Sequence, residues 1–241
     1  MSNWLRALGA IALTAVLAGT ATAQVNLSWI DCGAAGTVDQ TFACNVNTGA
    51  PHTMIGSYIG PAGTQNVIGM SAVVDLINTT PALENWWKFG TGNCRPGGFS
   101  ASTDFASGPF TCVDFWASQA TTVSNSQVNG SGRGVNTVRL QVGCALVTGD
   151  TLSAGIQYYG FKILISNQNT LTCTGCLTPT CIVFNSITIV QPAGLHNDFF
   201  LTGPAPGGRD FVTWQGSGAL GSCATVPVRN RTWGQIKGMY R

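Results

Sequence analysis

Nine cysteines are the side chains in this sequence with the most chemistry open to them: Cys32, Cys44, Cys94, Cys112, Cys144, Cys173, Cys176, Cys181 and Cys223. In an exported chain such a set reads as a disulfide framework. The cluster Cys173-Thr-Gly-Cys176 with Cys181 also has spacing that admits a zinc site, with Cys223 as fourth ligand, or a dithiol redox motif. A redox pair needs its first cysteine at a helix N-terminus, whereas this cluster sits in Thr-, Gly- and Pro-rich sequence before a strand. Haem attachment is excluded because Leu177 stands where a histidine is required. Structural disulfides are therefore expected at Cys32, Cys44, Cys94, Cys112, Cys173, Cys176, Cys181 and Cys223. The short intervals suggest Cys32–Cys44 and Cys94–Cys112 as local pairs, each loop closure contributing ~3 kcal/mol. The pairing among Cys173, Cys176, Cys181 and Cys223 stays open. Cys144 is expected to be the free thiol, because it alternates with Val138, Leu140, Val142 and Leu146 on the apolar face of a strand.

Acid–base chemistry has little to work with. Glu84 is the only glutamate, and the histidines are His52 and His196. Asp198 lies two residues from His196, but no G-x-S-x-G elbow supplies a serine, and Gly216-Ser217-Gly218 is too short a match. No H-E-x-x-H helix or calcium-loop pattern is present, and the sequence calls for no cofactor. Calcium held by loop carbonyls with Asp104 or Asp114 stays open, because carbonyl ligands leave no trace in sequence. The expectation is a protein without a catalytic site. Aromatic residues offer another handle: Trp86, Trp87 and Trp116 lie near turns, where exposed rings could stack on sugars, although rings are also the usual filler of a β core.

The elements that must carry these groups read as strands. Period-two alternation marks residues 67–77, with Ile68, Met70, Ala72, Val74 and Leu76 on one face, and residues 157–165, with Tyr159, Phe161, Ile163 and Ile165 facing away from Lys162. Residues 182–190 are nearly all apolar, as a central strand covered on both faces would be. Shorter segments at 25–30, 40–46 and 53–59 also read as strands, separated by Gly, Pro, Asn and Ser clusters. The expected fold is all-β, an antiparallel β-sandwich of jelly-roll or immunoglobulin-like type with disulfide-stapled loops; a closed barrel is the alternative.

The two ends differ from this body. Arg6, the apolar run 7–18 and the small residues Ala21 and Ala23 form a cleavable signal peptide over residues 1–23. The run is too short to span a bilayer, which takes about 20 residues, and no membrane insertion is expected once it is removed. At the C-terminus, residues 230–241 read as a short helix after a 24–229 sandwich domain. Thr232 and Gln235 have capping-box spacing, and Trp233, Ile236 and Tyr240 share one face as candidate binding residues. With 11 basic and 9 acidic residues, the chain has no electrostatic footprint for nucleic acid.

The stretches Cys173-Thr-Gly-Cys176, Cys181-Ile-Val-Phe-Asn-Ser186 and Thr232-Trp-Gly-Gln-Ile-Lys-Gly-Met-Tyr-Arg241 together resemble those of a group of uncharacterised secreted bacterial β-rich proteins. The resemblance implies export and a bacterial source and carries no activity with it. The expected role is a secreted structural or assembly protein at the cell surface, with copies of itself as partner. A carbohydrate-binding module using exposed tryptophans on surface glycans is the alternative, and a hydrolase around His196 and Asp198 the third reading.

Overall fold

The computed structural model describes residues 24–117, 119–130, 134–194, 197–216 and Cys223. The strands are β1 (Val25–Trp29), β2 (Asp39–Gln40), β3 (His52–Ile59), β4 (Val67–Asn78), β5 (Phe99–Ser102), β6 (Ala120–Asn129), β7 (Thr137–Asp150), β8 (Gln157–Ile165), β9 (Thr180–Val190), β10 (Phe199–Leu201) and β11 (Phe211–Trp214). They form two sheets. The smaller has the order β1-β3-β8-β5; the larger runs β2-β11-β9-β4-β7-β6, with β10 beside β9. The fold is all-β and sandwich-like, as the turn-punctuated alternation implies. One correction concerns strand direction: β2 and β11 pair in parallel, so the larger sheet is mixed. The expected C-terminal helix falls outside the described residues.

One core fills the space between the sheets. Phe161 of β8 meets Phe184 of β9 edge-to-face at 5.0 Å, and the Trp29 indole of β1 donates to the Thr213 carbonyl of β11 at 3.0 Å. Strand β9 is buried on both faces over most of its length, which its unbroken apolar run predicts. In β4, Met70, Ala72, Val74 and Leu76 are buried as expected. Ile68 is only half-buried, because the β4–β7 register shifts between Val67 and Gly69 and hands the interior position to Val67.

A second bulge overturns the expected face of Tyr159. Register between β3 and β8 shifts at Gly56–Ser57, leaving Gly160 as the extra residue. Phe161, Ile163 and Ile165 face the core, but Tyr159 turns to the side of Lys162, and both contact the Phe105 ring, which stacks on Tyr159 at 4.1 Å. Gly56 accommodates this crossing, because any side chain there would strike the Phe161 ring. The segment expected as a strand at 40–46 shortens to β2, since Phe42 leaves the ladder to pack against Trp29, His52 and Trp214.

The disulfide pattern corrects the expected local pairs. The bonds are Cys32–Cys112, Cys44–Cys176, Cys94–Cys173 and Cys181–Cys223, with separations of 80, 132, 79 and 42 residues. Cys173 and Cys176 bond to neither each other nor Cys181, so the cluster is not a dithiol or a zinc site but two staples for one loop. Closing loops this long stabilises by roughly 4–5 kcal/mol each in the chain-entropy account. Cys144 is the free cysteine, buried on β7. The four bonds place the chain in an oxidising environment.

Candidate functional site

The tryptophans that could have formed a sugar platform are interior. Trp86 and Trp87 lie in a 3-10 turn, Asn85–Trp87, where successive side chains are not forced to opposite faces, and both point inward. Trp86 packs at 4.7 Å from Trp214 and beneath Arg95, whose guanidinium carbon sits 3.6 Å from its ring centroid. Buried Arg95 is held by the carbonyls of Trp86, Gln168 and Ser166, so this cation serves the core. Trp116 donates its indole N–H to the Tyr159 carbonyl at 2.9 Å and is also fully buried. None of the three offers a free ring face to a ligand.

The other candidates from sequence have local roles. Asp198 accepts from the Gln191 amide, while His196 lies outside the described residues. Asp104 and Asp114 accept backbone N–H groups within their own turns, at Ala106 for the first and at Trp116 and Ala117 for the second. Among the described residues, no three His, Cys, Asp or Glu side chains converge as a metal site would require. Trp233, Ile236 and Tyr240 lie outside the described residues.

Two surface features do stand out. The first is a groove of about 770 Å³ on the outer face of the smaller sheet. Lys162 and Leu164 project from β8, with Thr53 and Ser102 on the neighbouring strands, and residues 102–109 form one wall. Ile30, Phe42 and Pro51 form the opposite side. Lys162 donates to the Gly108 carbonyl at 2.8 Å; burial lowers its pKa, while Asp104 and Asp114 oppose that shift. His52, at one end, contacts the Asn167 side-chain oxygen through Nε2 at 2.8 Å. Asn167 donates its own amide to the Thr48 and Ala50 carbonyls, which fixes its orientation and makes Nε2 the protonated nitrogen. Burial lowers the pKa of His52, against the opposing effect of its hydrogen bond to Asn167. Ile30 is 63% exposed with φ of 74°, a left-handed conformation that strains a β-branched residue.

The second feature is the free edge of β6. Among the described residues it pairs with β7 alone, whereas the other sheet edges are short or covered. Strand β1 is bonded along its outer side through Val25 to Gly203 and Ala205, and through Leu27 to Arg209. Strands β2, β10 and β5 have only 2, 3 and 4 residues. Strand β6 runs for 10 residues with no proline and no charge, the devices that usually protect an edge. The Gly130 amide donates to the Thr137 carbonyl, and alternation back along the ladder directs the backbone groups of Val123, Asn125, Gln127 and Asn129 away from β7. Ser124, Ser126 and Val128 are exposed on one face; on the other Asn125 and Asn129 are exposed, while Val123 packs against the core and the Gln127 side-chain oxygen accepts the Phe89 amide at 3.0 Å. Sequence reading missed β6 because no apolar alternation marks it; its one signal is the Thr/Val/Ser/Asn/Gln composition before a Gly-rich turn. Comparison with protein-family models, curated proteins and solved structures finds no match for this chain.

Proposed function

We propose that this chain is an exported structural subunit that associates with copies of itself by strand addition at β6, after removal of residues 1–23. The observation that carries the reading is the unprotected β6 edge. Residues 122–129 follow the β7 register without a break, an edge about 27 Å long at ~3.4 Å per residue. Two such edges paired antiparallel would satisfy each other's backbone groups and juxtapose rows of Ser, Asn and Gln side chains that hydrogen-bond readily across strands. The disulfides and the scarcity of charge suit a structural component outside the cytoplasm. The tryptophan-based glycan reading loses its support with the burial of Trp86, Trp87 and Trp116.

The test is light scattering after size exclusion on the oxidised chain starting at Gln24, over a concentration series. Asn125→Pro deletes an outward N–H without touching the β7 ladder, and Asn125→Lys adds a charge at the same place. The expected result is concentration-dependent multimers for the parent and monomers for both variants, with unchanged circular dichroism. A parent that stays monomeric throughout, or variants that assemble as it does, would end the proposal.

A further inference from the structure

We infer that the groove on the outer face of the smaller sheet is a binding site for a small uncharged amphipathic molecule, one with an apolar ring system and a carbonyl-type oxygen acceptor. It lies on the opposite sheet from β6 and does not depend on the reading of that edge. Its volume, about 770 Å³, is in the range of small-molecule sites. Three observations lead to this assignment. The first is that both walls are fixed before any ligand arrives. On one side, Cys32–Cys112 ties the chain next to Ile30 to the end of the 102–112 segment, Asp31 accepts the Thr111 hydroxyl at 2.6 Å, and Phe105 stacks on Tyr159. On the other, Gln215 accepts the Phe42 amide at 3.1 Å and donates to the Phe42 carbonyl at 2.7 Å, while Cys44–Cys176 holds the same loop. A ligand entering such a groove has little of the protein to order, which favours affinity.

The second observation is Ile30. Its left-handed backbone, with φ of 74°, is one that glycine or asparagine adopts at less cost, and its amide is held by the Thr53 carbonyl at 3.0 Å. The side chain is 63% exposed, so core packing does not account for an isoleucine at this position. What the residue adds is an apolar branch over the groove, on the same side as Phe42 and Pro51. Strain of this kind concentrates at ligand clamps. Leu164 adds apolar surface to the floor, where the outer face of a sandwich sheet ordinarily presents polar side chains to water.

The third observation is the polar part of the lining, which sets the charge of the ligand. One carboxylate, Asp104, stands against one ammonium, Lys162, so the two formal charges cancel. Both are engaged by the protein: Asp104 accepts the Ala106 amide at 2.9 Å, and Lys162 donates to the Gly108 carbonyl at 2.8 Å while lying over the Phe105 ring. A charged ligand meets a like charge here along with the opposite one and gains little from the pair. An uncharged oxygen fits better. An ammonium has three N–H donors, so Lys162 keeps donors for an acceptor after its bond to Gly108, and the hydroxyls of Thr53 and Ser107 lie in the same lining.

Fluorescence titration of the oxidised chain starting at Gln24 tests this with Prodan, a neutral naphthalene ketone, as the probe. N-phenylnaphthylamine, neutral but without the oxygen, and anilinonaphthalene sulfonate, an anion, are the comparisons. The expected result is saturable one-to-one binding of Prodan with a blue shift, about 10-fold tighter than either comparison. Ile30→Asn suits the left-handed backbone and Leu164→Thr suits a strand, so both variants should fold, and each should weaken Prodan by about 10-fold. Lys162→Met should lower Prodan to the affinity of N-phenylnaphthylamine and leave the latter unchanged. Absence of saturable Prodan binding, or binding indifferent to both Ile30→Asn and Leu164→Thr, would overturn the site. The anion binding as tightly as Prodan would overturn the uncharged class, and N-phenylnaphthylamine doing so would overturn the oxygen acceptor. Asn125→Pro should bind Prodan as the parent does, which separates this result from any failure at β6.

Discussion

The thiol of Cys144 should be silent in the folded protein and damaging once released, and the size of that effect follows from its position. Cys144 lies between Met70 of β4 and Val123 of β6, and burial raises its pKa from an ordinary 9.0 to about 12. Because the folded value is the higher one, the unfolded chain ionises first. Stability is therefore fully present below pH 9 and is lost as pH rises towards 12. One group with these two values removes roughly 1 kcal/mol at pH 10 and roughly 3 kcal/mol at pH 11. At neutral pH, Cys144→Ala loses a small buried group and should cost about 1 kcal/mol. The two stability curves should therefore cross near pH 10. The assay is denaturant unfolding of the oxidised chain and the variant at pH 7 to 11, with alkylation of the native protein alongside. Tyr58 is also raised by burial and contributes to alkaline loss in both proteins, so the difference between them is the quantity to read. Parallel stability curves, or native alkylation as fast as in denaturant, would refute the reasoning. A further consequence is chemical: the unfolded thiolate can attack the four disulfides, so the variant should refold more completely at high pH.

Two other perturbations test the packing. Asp75 and Arg139 sit opposite each other on the outer face of β4 and β7, with Arg139 Nε 2.8 Å from the fully buried carboxylate. Arg139→Met should destabilise by about 3 kcal/mol in denaturant unfolding, because a buried charge loses its counter-charge; a loss under ~0.5 kcal/mol would place the pair with ordinary surface bridges. The buried Tyr58 hydroxyl has no hydrogen-bond partner among the described residues. Tyr58→Phe should raise stability by up to about 1 kcal/mol, a gain of roughly 2–4 °C in Tm for a chain of this size; a lower Tm would show that the hydroxyl is satisfied.

How much of this could be read from residues alone differs from element to element. Strands β4, β7, β8 and β9 were legible because burial of one face, or of both, imposes a pattern on the sequence. The positions of Tyr159 and Ile68 were not, because a bulge shifts the side-chain phase by one residue and its cause lies in the partner strand. Disulfide connectivity was illegible for a related reason. Proximity in sequence favours Cys32–Cys44, but the sheet order brings Cys32 to Cys112 across 80 residues instead. The odd thiol was different, since its strand's alternation alone places Cys144 on the apolar face.

The same logic explains why the candidate surfaces were the hardest to foresee. Alternation reports burial, and a binding edge is the part of a sheet that the monomer does not bury. Strand β6 has Ser124 and Ser126 exposed on one face and Asn125 and Asn129 on the other, so no hydrophobic period could announce it. Its existence as a strand depends on β7, whose own alternation is clear, and a strand held from one side leaves its other side open for a partner. The tryptophans show the converse. Trp86, Trp87 and Trp116 look like recognition residues by type, yet their area is worth most inside, where Trp214 packs against the first two, Arg95 against Trp86 and Phe115 against Trp116. In a chain this poor in charge, an exposed uncharged strand is a stronger sign of a partner than a tryptophan near a turn. The tryptophan's burial stabilises the monomer, whereas the outward amides of β6 meet no partner strand among the described residues.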